Sequence, residues 1–192
     1  MARDVLRDFP DSFETERLLL RAAGPDDASE ANAAVVESQP ELTPWISWAE
    51  QELDLDAVRE NLVRARARFM LREDLRFHLF LRDDPQPFVG STGLHHIDWS
   101  VPRLEIGYWL RTRFAGQGYA TEAVRGITAF AFRELGAERL EIWCDARNER
   151  SAAVARRAGF RQEALLLHNE RDPAGELCDS LGFGLLREDW QP

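Results

Sequence analysis

The stretch Arg113-Phe114-Ala115-Gly116-Gln117-Gly118-Tyr119-Ala120 decides the fold. A strand-like segment, Arg103 to Arg111, leads into it, and a helix-like segment, Tyr119 to Leu135, leads out. Glycine lets a backbone turn with φ > 0 and lets a ligand come close to the main chain. The first N–H groups of the following helix have no partner within it and carry the positive end of its dipole. A phosphate or pyrophosphate is the natural occupant of such a turn. A P-loop would need Gly-x-x-x-x-Gly-Lys-Ser/Thr, which the stretch lacks. A dinucleotide fingerprint needs Gly or Ala three places after the second glycine, where Thr121 stands. A third pattern, Arg/Gln-x-x-Gly-x-Gly/Ala, is matched in full by Arg113, Gly116 and Gly118. The plain alternative is a strand-to-helix turn whose glycines serve geometry only.

At 192 residues the chain suits one domain, residues 1–192, large enough for a substantial core. With 44% hydrophobic and 30% charged residues its composition is that of a globular protein. Lys and Arg number 24 against 34 Asp and Glu, a net charge of −10. That argues against general nucleic-acid binding, which rests on cationic contacts to phosphates, and suits a cationic acceptor such as an amine. Cys144 and Cys178 form neither a metal-site spacing nor a disulfide framework. No metal is expected. No apolar run is long enough to span a membrane, and MARDVLRDFPDS lacks a signal-peptide core. The expectation is a cytoplasmic protein, with a homodimer left open.

Taken in order, Glu14 to Arg21 reads as a strand. Gly24-Pro25-Asp26-Asp27 then starts a helix through about Glu37, with Asp26 or Asp27 as cap. A loop with Pro40, Pro44, Trp45 and Trp48 follows, then a helix from about Leu53 to Leu71. Arg76 to Arg82, Phe88 to Ile97 and Arg103 to Arg111 read as a meander, the first two joined by Asp83-Asp84-Pro85. Gly90 and Gly93 inside the second of these strands suggest a bulge or a close backbone approach. The helix after the glycine loop puts Ala120, Ala123, Val124, Ile127, Phe130 and Ala131 on one stripe, so it packs on a sheet. Leu140 to Cys144 is a strand parallel to Arg103 to Arg111 through that crossover. Asn148 caps a short helix, Glu149 to Ala158, and Phe160 to His168 and Leu177 to Leu186 are the last strands.

The order β-α-α-β-β-β-α-β-α-β-β, a mixed α/β (α+β) fold with a seven-stranded sheet, resembles that of the GNAT superfamily of N-acetyltransferases. The glycine motif and its tail Gly118-Tyr119-Ala120-Thr121-Glu122-Ala123 are similar to that family. Segments ETERLLLR, PWISW, EIGYWLRTRFAGQGYATEAV, Asn148-x-x-Ser151 with the following Ala-Arg-Arg-Ala-Gly-Phe160, Cys178-Asp179-Ser180 and LLREDW resemble the RimJ/RimL group, which acetylates ribosomal-protein N-termini. The resemblance implies a transferase that moves an acetyl group from acetyl-CoA directly to a primary amine. The acceptor it implies is a protein N-terminal α-amine. The alternatives are a small-molecule or antibiotic amine, or a CoA-binding module without chemistry.

The same resemblance implies roles for individual residues. Tyr108, Trp109, Leu110, Arg111, Arg113, Gly116, Gln117, Gly118, Tyr119, Ala120 and Asn148 would hold the cofactor. The strand that bears Tyr108 splays from its neighbour in this fold and frees main-chain groups for pantetheine. A free N–H there also suits an oxyanion, an effect worth roughly 3 kcal/mol. Many relatives carry a tyrosine shortly after the asparagine as acid for the leaving thiolate, but Arg150 to Ala155 holds none. Ser151 stands where RimL-like members have a serine with that role; otherwise it bonds its own helix. Glu170, ten residues past Phe160, matches a glutamate proposed as general base, with Glu163 and Asp179 as fallbacks; otherwise it is a solvated loop residue. Trp45 and Trp48 would wall the acceptor pocket, or form a small core under a loop. Cys144 reads as a small strand-end residue rather than a nucleophile. His95 and His96 at a strand end could reach the cleft, or serve surface or packing roles.

Overall fold

Strands alternate their side chains across two faces, and Leu18–Ala22 shows it as alternating burial, whereas Phe77 to Phe80 are buried on both faces. Leu18 and Leu20, and Leu75, Phe77 and Leu79, are all fully buried. The computed structural model describes residues 4–50, 54–83 and 85–191. Its elements are β1 (Ser12–Glu14), β2 (Leu18–Ala22), α1 (Ala28–Leu42), α2 (Leu55–Leu71), β3 (Leu75–Leu81), β4 (Phe88–Asp98), β5 (Arg103–Leu110), α3 (Tyr119–Arg133), β6 (Arg139–Asp145), α4 (Glu149–Arg157), β7 (Arg161–Arg171) and β8 (Leu177–Leu186). The strands form one mixed sheet in the order β1-β2-β3-β4-β5-β6-β8-β7. Only β5 and β6 run parallel, joined through α3; the other neighbours are antiparallel.

The sheet has eight strands rather than seven. The added one, β1, is three residues long and pairs with β2 from Ser12↔Arg21 to Glu14↔Leu19. It is too short to show a period, and a tertiary contact holds it: the Phe13 ring stacks on Phe130 of α3 at 4.7 Å. Phe130 also meets Phe77 edge-on, and Phe77 meets Phe69 of α2. This aromatic cluster joins α2 and α3 to the middle of the sheet. Each side chain so buried contributes about 1.5–3 kcal/mol.

Helix α1 runs on to Leu42, past the expected end near Glu37 and through Pro40. Proline removes one helical hydrogen bond and clashes with the preceding turn, but packing outweighs it. Ser38 and Leu42 are buried, and Ser38 Oγ accepts the backbone N–H of Thr112 at 2.9 Å. The expected start of α2 at Leu53 and the turn residue Asp84 lie outside the described residues. Asp54 caps α2, its side chain accepting the N–H of Ala57 at 2.8 Å.

Candidate active site

The glycine loop is built as its residues dictate. Gly116 and Gly118 adopt φ of 76° and 86°, the left-handed region that suits glycine. Gly118 is the N-cap of α3. The N–H of Glu122 bonds the carbonyl of Gly118 at 3.1 Å, so the N–H groups ahead of it in the first turn have no partner within the helix.

Side chains around the loop lock it. Arg17, from the turn between β1 and β2, bonds Glu122 and the carbonyl of Gln117, and its guanidinium lies 4.3 Å over the Tyr119 ring. Glu122 also accepts from Thr15 Oγ1 at 2.6 Å and the N–H of Arg17 at 2.7 Å. On the other side, Glu37 of α1 pairs with both Arg111 and Arg113. The Arg113 hydrogen bond, with Arg111 beside it, pulls the Glu37 carboxyl down to about 2. A carboxylate whose pKa is depressed on folding stabilises the fold above its ordinary value of 4.5, and the contribution is lost as pH falls toward 2. Glu37→Gln should therefore lower the melting temperature at neutral pH and loosen α1 from the loop. The gap from wild type should close as both are titrated below pH 4.5, which thermal melts across pH would read. A gap constant across that range would refute the tether.

The second structural feature is a split sheet. β5 and β6 pair only from Arg103↔Arg139 to Glu105↔Glu141. Beyond Glu105, β5 keeps β4 as its partner up to Leu110, and β6 keeps β8 up to Asp145. The facing edges of the two strands are thus left without each other, and their main-chain groups are open to a ligand.

A cleft of about 1590 Å³ spans this gap. Its walls include Tyr108, Trp109, Leu110, Gly116, Gly118, Ala120, Asn148 and Ser151 from the expected cofactor and acid groups, and Trp45 and Trp48 from the expected acceptor wall. The Trp48 ring meets Trp109 edge-on at 6.0 Å. Arg111, Arg113, Gln117 and Tyr119 do not line the cleft with the residues above. The two arginines hold Glu37, Gln117 Nε2 donates to the carbonyl of Arg113 at 3.0 Å, and the Tyr119 ring packs on Phe114. These four shape the loop rather than face the cavity.

Glu170 is not among the cleft residues either. It lies within β7, which runs three residues past His168, opposite Cys178 of β8 and exposed. Because β8 inserts between β6 and β7, Glu170 sits two strands away from β6. Of the fallbacks, Glu163 is bound to Arg139. Asp179 Oδ1 accepts the N–H of His168 at 2.8 Å.

A group that sequence reading separated is brought together beside the gap. The Tyr108 hydroxyl donates to the carbonyl of Ser151 at 3.0 Å and lies 2.9 Å from Ser151 Oγ. Burial pushes the Tyr108 phenol up to about 12. Asn148 caps α4, its Oδ1 accepting the N–H of Ser151 at 3.0 Å. The segment thus has the cap geometry, and Ser151 lines the cavity. Cys144 lies in the same wall, and burial pushes its thiol up, which disfavours a thiolate nucleophile. Arg150 and Arg157 also line the cleft. Nothing in their spacing announced this; α4 packed against α3 delivers them.

Residues 17–161 match the family model of the acetyltransferase (GNAT) domain. The chain belongs to the GNAT acetyltransferase family. It is 29% identical over 180 residues to YdaF of Bacillus subtilis, whose name assigns it provisionally to the ribosomal N-acetyltransferases; the match covers 92% of this chain and 94% of that one. Among solved structures, the ribosomal L7/L12 α-N-protein acetyltransferase RimL in complex with coenzyme A superposes with a TM-score of 0.83 at 22% identity, over 90% of this chain and 95% of that one. The microcin C7 self-immunity acetyltransferase MccE, in complex with acetyl-CoA and AMP, superposes with a TM-score of 0.84 at 19% identity, over 94% and 99%. At such identities the two structures share the fold with this GNAT chain, and their different names show that the fold alone does not set the acceptor. Among the described residues no helix is long and apolar enough to cross a membrane.

Proposed function

We propose that this GNAT protein transfers the acetyl group of acetyl-CoA to a primary amine, and that the amine is a protein N-terminal α-amine. The observation that carries the reading is the cleft running from the glycine loop to the split between β5 and β6. Its loop end suits a pyrophosphate: unpartnered N–H groups at the start of α3 with Arg150 and Arg157 in the wall. Its middle, the unpaired edges of Ile106 to Leu110 and Ile142 to Asp145, suits the amides of pantetheine. Tyr108 and Ser151 stand there to return a proton to the departing thiolate. The far end, between Trp45, Trp48 and Trp109, is the acceptor wall. Kinship to YdaF favours a ribosomal protein's N-terminus as the acceptor.

Amine basicity supports an α-amine. An α-amine has a pKa of about 7.7–8.0 and a lysine about 10.4, so at pH 7 the α-amine is several hundredfold richer in the neutral nucleophile. Matched peptides, one with a free N-terminus and blocked lysines and one with the reverse, should differ in thiol release from acetyl-CoA in that direction at neutral pH. Faster transfer to internal lysines would contradict the N-terminal reading. Transfer confined to aminoglycosides, polyamines or other small amines would replace the acceptor class and leave the cofactor site intact.

A further inference from the structure

We infer that His95 and Asp74 form the dyad that takes the proton from the attacking amine; the inference rests on the acetyl-transfer reading of the cleft. His95 Nδ1 lies 2.7 Å from Asp74 Oδ2. That bond places the hydrogen on Nδ1 and leaves Nε2 with a lone pair. The direction of Nε2 is set by two missing side chains. A Cβ added at Gly93 would lie 2.9 Å from Nε2, and one at Gly107 would lie 3.1 Å from it. Gly93 and Gly107 are paired across β4 and β5. The Nε2 end of the imidazole therefore occupies the space over this glycine pair, beside Gly107, just inside the part of β5 that has left β6.

Gly107 and Trp109 share a face of β5, and Trp109 carries the acceptor wall with Trp48. His95 lines the same cleft, with its side chain 29% exposed, so a substrate can reach it. The left-handed backbone of His96 (φ 45°) falls where β4 loses register with β5, directly after the dyad.

Two other titratable groups in the wall, His78 and Asp145, are committed elsewhere. His78 also pairs with an aspartate, Asp27, but its side chain is only 4% exposed and burial pushes its pKa down. Asp145 is held by Arg147, whose hydrogen bond depresses its carboxyl and makes it a weak base. Charged and titratable groups around the dyad are Arg68 of α2, Arg76 of β3, Glu105 of β5, and Glu73 and His96. Asp74 stays ionised among them: burial opposes this, but the His95 bond and the two arginines outweigh it.

In the step, the amine nitrogen forms a bond to the thioester carbonyl carbon and its N–H proton passes to Nε2. The C–S bond breaks with its electron pair on sulfur, and the thiolate takes a proton through Tyr108 and Ser151. Asp74 is a positioning residue that holds the tautomer and the charge on the ring.

The test uses the full chain, acetyl-CoA and a short peptide with a free α-amine. His95→Gln should slow single-turnover transfer at pH 7 by about 10²–10³-fold, with an unchanged thermal shift by acetyl-CoA. His95→Ala should regain rate with added imidazole. Asp74→Ala should lose kcat without losing acetyl-CoA affinity, and Asp74→Asn, which still accepts the Nδ1 hydrogen, should retain more of it. A His95→Gln variant as fast as wild type, or a rate loss that appears instead in Glu170→Gln, overturns the dyad. Absence of thiol release by the wild type with any amine overturns the acetyl-transfer reading itself, a distinguishable failure.

Discussion

Gly118→Asp should abolish the rise in melting temperature that acetyl-CoA gives the wild type. A ligand that binds only the folded state stabilises it by mass action, about 2.7 kcal/mol at one hundred times its Kd. Gly118 is the N-cap of α3 with a φ of 86°. Aspartate is among the residues that tolerate this region, and a Cβ at Gly118 meets only Arg17 Nη2, at 3.4 Å. The positive φ strains any side chain placed there, by about 1–2 kcal/mol, which a stable domain can bear, so the loss beyond that should fall on the ligand. The new carboxylate takes the place where a pyrophosphate would meet the first N–H groups of α3, and a capping aspartate would satisfy one of those groups itself. An affinity loss of 10²-fold or more is expected. Titration of the shift with acetyl-CoA, with circular dichroism to check the fold, reads the result. A folded variant that keeps wild-type affinity would show that the loop does not hold the cofactor.

Tyr108→Phe should slow the chemical step by about 10²-fold, the lower end of the range for a general acid. The lower end applies because a CoA thiolate is a tolerable leaving group. With its phenol pushed up to about 12, Tyr108 keeps its proton across the working range. Its hydroxyl is held by Ser151 through both the carbonyl and Oγ. Ser151→Ala removes only one of these contacts, so its effect should be smaller. Because the two hydroxyls act together, the double variant should be no slower than the product of the single losses and closer to Tyr108→Phe alone. Single-turnover rates at saturating acetyl-CoA separate chemistry from binding. A Tyr108→Phe variant with near-wild-type turnover would assign the thiolate's proton to water.

The tyrosine at the centre of this expectation shows how site and sequence relate. Relatives place such a residue a few positions after the asparagine, and Arg150 to Ala155 contains none. A scan along the chain finds a gap. The fold brings the Tyr108 hydroxyl to Ser151 from 43 residues away, where β5 passes α4, and the proposed acid role of Tyr108 rests on that contact. His95 is a parallel case: the sequence leaves it near a strand end, able to reach the cleft or to pack, and only the glycines of two strands and Asp74, 21 residues away, give its ring a direction.

By itself the sequence determined what local physics controls. Two glycines one residue apart favour a turn with positive φ, an apolar stripe requires a helix lying on a sheet, and alternation in Arg76 to Arg82 marks β3. These signals depend on neighbours within a few positions, so the glycine loop, α3 and the meander were legible. The tertiary structure alone decided β1, the run of α1 through Pro40, and the strand order that puts β7 outside β8, with Glu170 not among the residues lining the cleft. Each depends on contacts between residues far apart in the chain: Phe13 on Phe130, Ser38 on Thr112, β6 on β8. Such contacts leave no period in either partner, because the free energy that fixes them comes from burial and pairing after the segments meet.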